Sequence, residues 1–144
     1  MTGDLSKVLV TVDGSPQAER AVRHAIELHK IGQVREMHLL NVQPPLSGDV
    51  ASFVDKPTRD DYHREEADKA LDSARKLFKA AGIAFKEHVG VGQPAPAIVA
   101  FAKKLGCGQI VMGTHGLGAA LRLVLGSVAQ EVVRESEAAV TVVK

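Results

Sequence analysis

The chain is predicted to fold as a doubly wound α/β sheet, three layers deep, with parallel strands sandwiched between helices. Three observations predict it. Short β-branched apolar runs without polar alternation recur along the sequence, as in parallel strands covered on both faces. Helical apolar stripes separate these runs, three of them closed by glycine. Strand and helix alternate from Lys7 to Val143, the order that gives a parallel sheet with helices on both sides. The expected architecture is Rossmann-like, with five parallel strands in the order 3-2-1-4-5 and four helices.

The first strand is Lys7 to Val12, Lys-Val-Leu-Val-Thr-Val, and Asp13-Gly14-Ser15-Pro16 ends it. Ser15 can cap orphan amides and Pro16 is tolerated at the first helical position, so a helix starts there. Its inner face is Ala18, Ala21, Val22, Ala25 and Ile26, with His29 as a candidate continuation, and Gly32 closes it. The second strand is Glu36 to Val42. Residues 43 to 57 hold three prolines, one glycine and no periodicity, which predicts a long flexible loop of the kind that often serves as a lid. Val50, Phe53 and Val54 within it could fold over a ligand or meet a partner.

From Thr58 to Ala81 a stripe of Ala67, Ala70, Leu71, Ala74, Leu77, Phe78 and Ala81 predicts the second helix, with Gly82 as its stop. Acids and bases fill its other face in alternation, as on a solvated helix. Ala84 to Val89 is the third strand, Pro94 to Leu105 the third helix, and Gln109 to Met112 the fourth strand. Gly126-Ser127 opens the fourth helix, with Val128, Ala129, Val132 and Val133 inward, and Ala139 to Val143 is the last strand.

With 144 residues the chain reads as one domain, residues 1–144, large enough to bury about two thirds of its unfolded surface. Its 18 Lys+Arg balance 17 Asp+Glu, which gives no broad field for a phosphate backbone. Four Phe, one Tyr and no Trp leave little for base stacking, so no nucleic acid partner is expected. The single Cys107 excludes an internal disulfide and a cysteine zinc site, and a reducing cytoplasm fits. The N-terminus lacks a secretory pattern and no apolar run approaches the roughly 20 residues of a spanning helix, so no membrane partner is expected.

In open parallel sheets ligands bind beyond the carboxyl ends of strands where the winding reverses, here after the first and fourth strands. The second of these loops begins at Gly113. Gly113 and Gly118 have the outer spacing of a P-loop, but Ala119 and Ala120 stand where Lys and Ser/Thr are needed. Gly116-Leu117-Gly118 begins a dinucleotide fingerprint, yet Leu121 occupies the third glycine position. Gly90-Val91-Gly92-Gln93-Pro94-Ala95 fits a looser form, but no acid follows at the required distance.

What remains is Gly113-x2-Gly116-x9-Gly126-Ser127. With Ile110-Val111-Met112-Gly113-Thr114-His115-Gly116, Leu125-Gly126-Ser127-Val128-Ala129 and the strand end Val12-Asp13-Gly14-Ser15, it resembles the ATP-binding branch of the universal stress protein family. The likeness runs from Lys7 to Val143. Physically, Gly113 and Gly116 let backbone amides approach a polyphosphate, and Gly126-Ser127 sets a helix start toward the same anion. Asp13, which would repel phosphate, is suited to ribose hydroxyls, and the resemblance implies that role too. The resemblance also implies adenine near Thr11 and the main chain of Val42. It assigns nucleotide contacts to Thr11, Asp13, Val42, Met112, Gly113, Thr114, His115, Gly116, Gly126, Ser127 and Val128.

Three positions depart from the family pattern: Thr11 and Ala139 each replace a proline, and Leu117 replaces a basic residue, leaving Arg122 as the nearest cation. The expected ligand is ATP, with Mg2+ or Mn2+ on its phosphates, and the expected role is nucleotide-dependent regulation of the stress response through an unknown protein partner. The rival expectations are a slow ATPase or phosphotransferase using Asp13 or His115, and a nucleotide-free dimer. The resemblance implies a homodimer through the C-terminal strand, Val140 to Val143, whose edge can pair with another copy. Asp13 also suits a plain Asx turn, Ser15 a helix cap, and His115 a solvated loop. His24 and His29 lie on different helical faces, and His38, His63 and His88 are scattered in sequence, so no metal site is expected. Cys107 reads as a small buried residue.

Overall fold

The structure, a computed structural model, describes residues 3–115 and 125–144. In chain order the elements are β1 (Asp4–Thr11), α1 (Pro16–Lys30), β2 (Glu36–Gln43), α2 (Gly48–Phe53), α3 (Lys56–Ala80), β3 (Lys86–Val91), α4 (Pro94–Leu105), β4 (Cys107–Gly113), α5 (Ser127–Glu135) and β5 (Ala139–Val143). The five strands form one sheet in the order β3-β2-β1-β4-β5, every pair parallel.

Side chains alternate across the sheet into two cores. Val8, Val10, Leu39 and Val111 face α1 and α3, whereas Leu9, Leu40, Ile110 and Met112 face α4 and α5. This double burial explains the unbroken apolar runs of the central strands. Ser15 caps α1 by accepting a hydrogen bond from the Ala18 amide at 3.1 Å, with Pro16 at the first helical position. Ala18, Ala21, Val22, Ala25 and Ile26 are buried as expected, but His29 is exposed and Leu28 packs instead.

The sequence predicted four helices, and the structure has five. The additional α2 lies inside the expected 43–57 loop and buries none of its six residues, so it left no apolar stripe to read. Next, α3 starts two residues before Thr58, because Asp55 accepts from the Thr58 amide at 2.9 Å and Pro57 tolerates the first turn. In α5, Ala129 and Val132 are buried while Val133, expected inward, is 48 % exposed.

Candidate functional site

The carboxyl ends of β1 and β4, neighbours at the sheet centre, open into one cleft of about 470 Å³. Of the eleven residues predicted for a ligand, ten line it: Thr11, Asp13, Val42, Met112, Gly113, Thr114, His115, Gly126, Ser127 and Val128. Gly116 lies outside the described residues, as do Leu117 and Arg122. Pro44, Pro94 and Ile98 also line the cleft and were missed by sequence reasoning. Pro44 follows β2, and the other two belong to α4, whose N-terminus reaches the same sheet end; only the topology reveals this.

A hydrogen-bond chain fixes the β1 side. Buried Asn41 donates from Nδ2 to the Val12 carbonyl at 2.8 Å and accepts at Oδ1 from Gln43 Nε2 at 2.8 Å. The Val12 amide donates to the Leu40 carbonyl at 2.9 Å. Asp13 therefore leaves a clamped strand end. Its Oδ1 accepts from the Ser15 amide at 2.9 Å, an Asx turn, and the residue also lines the cleft.

On the β4 side, Gly113 lines the cleft and also has a packing role that its spacing does not convey. A Cβ there would stand 2.8 Å from Gln17 Cβ and 2.9 Å from the Gln17 carbonyl carbon, so this glycine lets β4 pass α1. The Thr114 amide donates to the Val143 carbonyl at 3.0 Å, and the Gly126 amide to the Thr114 carbonyl at 2.6 Å. Neither amide is thus spare for a ligand. The first turn of α5 has no side-chain cap, and Ser127 and Val128 at this turn line the cleft. Orphan amides at such a start favour an anion by about 0.3–1 kcal/mol.

His115 has Nδ1 3.2 Å from Thr114 Oγ1, and its buried Nε2 has no hydrogen-bond partner among the described residues. A buried ring nitrogen left unmatched on a cleft wall is ready-made capacity for a ligand group or water. Cys107, by contrast, is buried at the opposite end of β4, where desolvation pushes its thiol up to about 11. It is an inert packing group, as expected.

The universal stress protein family model matches residues 5–144. The chain belongs to the universal stress protein family. It is 32% identical to the universal stress protein MJ0531 of Methanocaldococcus jannaschii, over 96% of this chain and 81% of that one. The solved structure of MJ0577, from the same organism, is 31% identical and superposes with a TM-score of 0.82, covering 97% of this chain and 96% of the other. The universal stress protein of Archaeoglobus fulgidus in complex with dAMP is 26% identical with a TM-score of 0.70, covering 96% of this chain and 97% of the other. These likenesses extend over the whole described fold of this universal stress protein, including both strand ends that form the cleft.

Proposed function

We propose that this universal stress protein binds an adenine nucleotide, ATP, in the cleft at the ends of β1 and β4, and regulates a protein partner in the cytoplasm according to nucleotide state during stress. The observation that carries the reading is the convergence on one cleft of ten of the eleven residues assigned from the sequence. Adenine sits against Thr11, Val42 and Met112, the ribose meets Asp13, and the phosphates lie along Gly113 to Gly116 and the uncapped start of α5. The dAMP complex of the Archaeoglobus fulgidus relative supports the adenylate class. The hydroxyls of Thr114 and Ser127 are hard oxygen donors of the kind Mg2+ or Mn2+ accepts, so the lining suits a metal held chiefly through the phosphates. Such a metal would neutralise phosphate charge.

Calorimetry with ATP on ligand-stripped protein tests the reading. Saturable binding at submillimolar ATP is expected, and no binding at millimolar adenine nucleotide overturns it.

A slow hydrolytic activity is the second reading, favoured by the unmatched Nε2 of His115 beside the phosphate loop. Turnover that is identical in wild type, Asp13→Ala and His115→Ala removes it. We further propose a homodimer through β5, the edge strand of the sheet. A monomer by sedimentation at high concentration counts against it.

A further inference from the structure

His38 and His88, fifty residues apart and expected to be scattered, meet under α4. His38 lies on β2 and His88 on β3, and the register pairs His38 with Lys86 and Leu40 with His88, so both rings project from the same sheet face as diagonal neighbours. His38 Nδ1 lies 2.9 Å from His88 Nε2, the rings stack at 5.1 Å, and His38 is only 2 % exposed.

A contact of this length between two imidazole nitrogens holds one proton, not two. If both rings were charged, two N–H donors would face each other, and three lysines nearby would add to the repulsion. Lys7 of β1, Lys86 of β3 and Lys104 of α4 bring positive charge. The carboxylates are Glu87 of β3 and Glu36 of β2. Glu36 Oε1, 3.2 Å from His38 Nε2, favours a charge on that ring, but it is already shared with Lys86 at 2.9 Å, with Lys7 3.5 Å from Oε2, and it does nothing for the facing His38 Nδ1 and His88 Nε2. Cys107 of β4, beyond Glu36, is a neutral thiol at physiological pH.

The pair also touches the cleft mechanically. The His88 ring packs on Phe101 of α4 at 5.9 Å between centroids, and the edge of Phe101 fills the space a side chain at Gly90 would need. Gly90 is paired in register with Val42, and Ile98, one turn before Phe101, lines the cleft with Val42. We propose that the His38–His88 pair is an acid-sensitive device: a proton gained on each ring separates the two rings, loosens Phe101 and α4, and weakens nucleotide binding. The inference rests on the nucleotide reading of the cleft.

Burial holds both imidazoles below their ordinary value of 6.5, with His38 adding to the effect on His88. A histidine whose folded-state pKa is depressed leaves its stabilisation intact above about pH 6.5, and that stabilisation is lost as pH falls from there toward the folded value. By linkage, nucleotide must oppose protonation as much as protonation opposes nucleotide.

The test is ATP calorimetry at about pH 7.5 and about pH 5.5, across the range where histidine charge changes, on wild type and on the His38→Gln/His88→Gln double variant. Protonation of ATP itself is common to both proteins and cancels in the comparison. The expected result is an additional affinity loss on acidification of about fivefold in wild type over the variant. ATP binding with coincident pH profiles overturns the coupling alone, whereas no binding at the higher pH overturns the nucleotide reading and the coupling with it. Ring NMR of the six histidines in wild type needs no variant to fold. The His38 and His88 rings should titrate at lower pH when ATP saturates the protein, and these two rings unaffected by saturating ATP overturn the proposal.

Discussion

The Gly126 amide donates to the Thr114 carbonyl at 2.6 Å, and a Cβ at position 126 would stand 3.2 Å from that same oxygen. The last glycine of the motif is thereby clasped to the first loop residue, which brings the start of α5 beside the end of β4. The conformation at Gly126, φ −69° and ψ 165°, suits any residue, so space and not backbone strain requires glycine here. Gly126→Val would press a branched side chain on the Thr114 oxygen and on His115 Cα, 3.4 Å away. ATP affinity is expected to fall at least about tenfold, near 1.4 kcal/mol, with a small change in melting temperature. Calorimetry and thermal melts of the same preparation check this, and unchanged affinity would show that the clasp is irrelevant to binding.

Gly113 should behave in the opposite manner. Its missing Cβ makes room for the main chain of α1 at Gln17, so Gly113→Ala is expected to destabilise the fold by about 1–3 kcal/mol through overpacking. Gln17→Gly should restore only part of the loss, because the Gln17 carbonyl carbon remains 2.9 Å from the added methyl. Urea denaturation of the single and double variants measures both effects.

Gly113 also shows where the sequence could and could not be read. Its spacing from Gly126 identified the cleft, but the reason for glycine at 113 is a contact with a helix 96 positions earlier, which spacing cannot convey. The strands and long helices were legible because a parallel sheet buries both faces and α3 repeats its apolar residues at helical period. Short α2 was not, since a helix that buries nothing has no stripe. The His38–His88 contact was hidden for a related reason: register between β2 and β3 decides which rings meet, and no local pattern records it. Pro94 and Ile98 reached the cleft through topology alone.

The clamp at the end of β1 makes Asn41 a positioning residue. Its side chain is 2 % exposed and donates to the Val12 carbonyl, so Asn41→Ala leaves a buried acceptor unmatched at a cost of about 1–3 kcal/mol. Because Asp13 follows directly, ATP affinity should fall along with stability. Denaturation and calorimetry on Asn41→Ala check the pair of effects, and a loss of stability without a loss of affinity would separate the clamp from the cleft.

Phe78 and Phe53 give a sharp contrast in burial. Phe78 of α3 is fully buried and packs against Phe85 in a tilted ring pair, 5.2 Å between centroids, whereas Phe53 of α2 is 90 % exposed. Phe78→Ala is expected to cost about 3–5 kcal/mol through a cavity in the core between α3 and the sheet. Phe53→Ala should stay within about 0.5 kcal/mol. Equal losses in chemical denaturation would mean that α2 packs against the fold in solution.

Acid should act on a second device as well. Arg75 of α3 donates to both oxygens of Glu87 on β3 and to Asp68 at 2.8 Å, tying the helix to the edge strand. The Arg75 guanidinium holds the Glu87 carboxyl below its ordinary value of 4.5, against the opposing pull of burial. A carboxyl depressed in the folded state contributes its stabilisation in full above about pH 4.5, and loses it as pH falls through the lower folded value. With both side chains about a quarter exposed, the pair is worth about 1 kcal/mol after solvent screening. Arg75→Met should therefore be less stable than wild type by that amount at neutral pH, and the gap should narrow as pH falls from about 4.5 toward about 3, as Glu87 becomes protonated first in the unfolded chain. Urea denaturation of the two proteins at both pH values measures the gap, and a gap independent of pH would assign the effect of Arg75 to packing of its aliphatic stem instead of its charge.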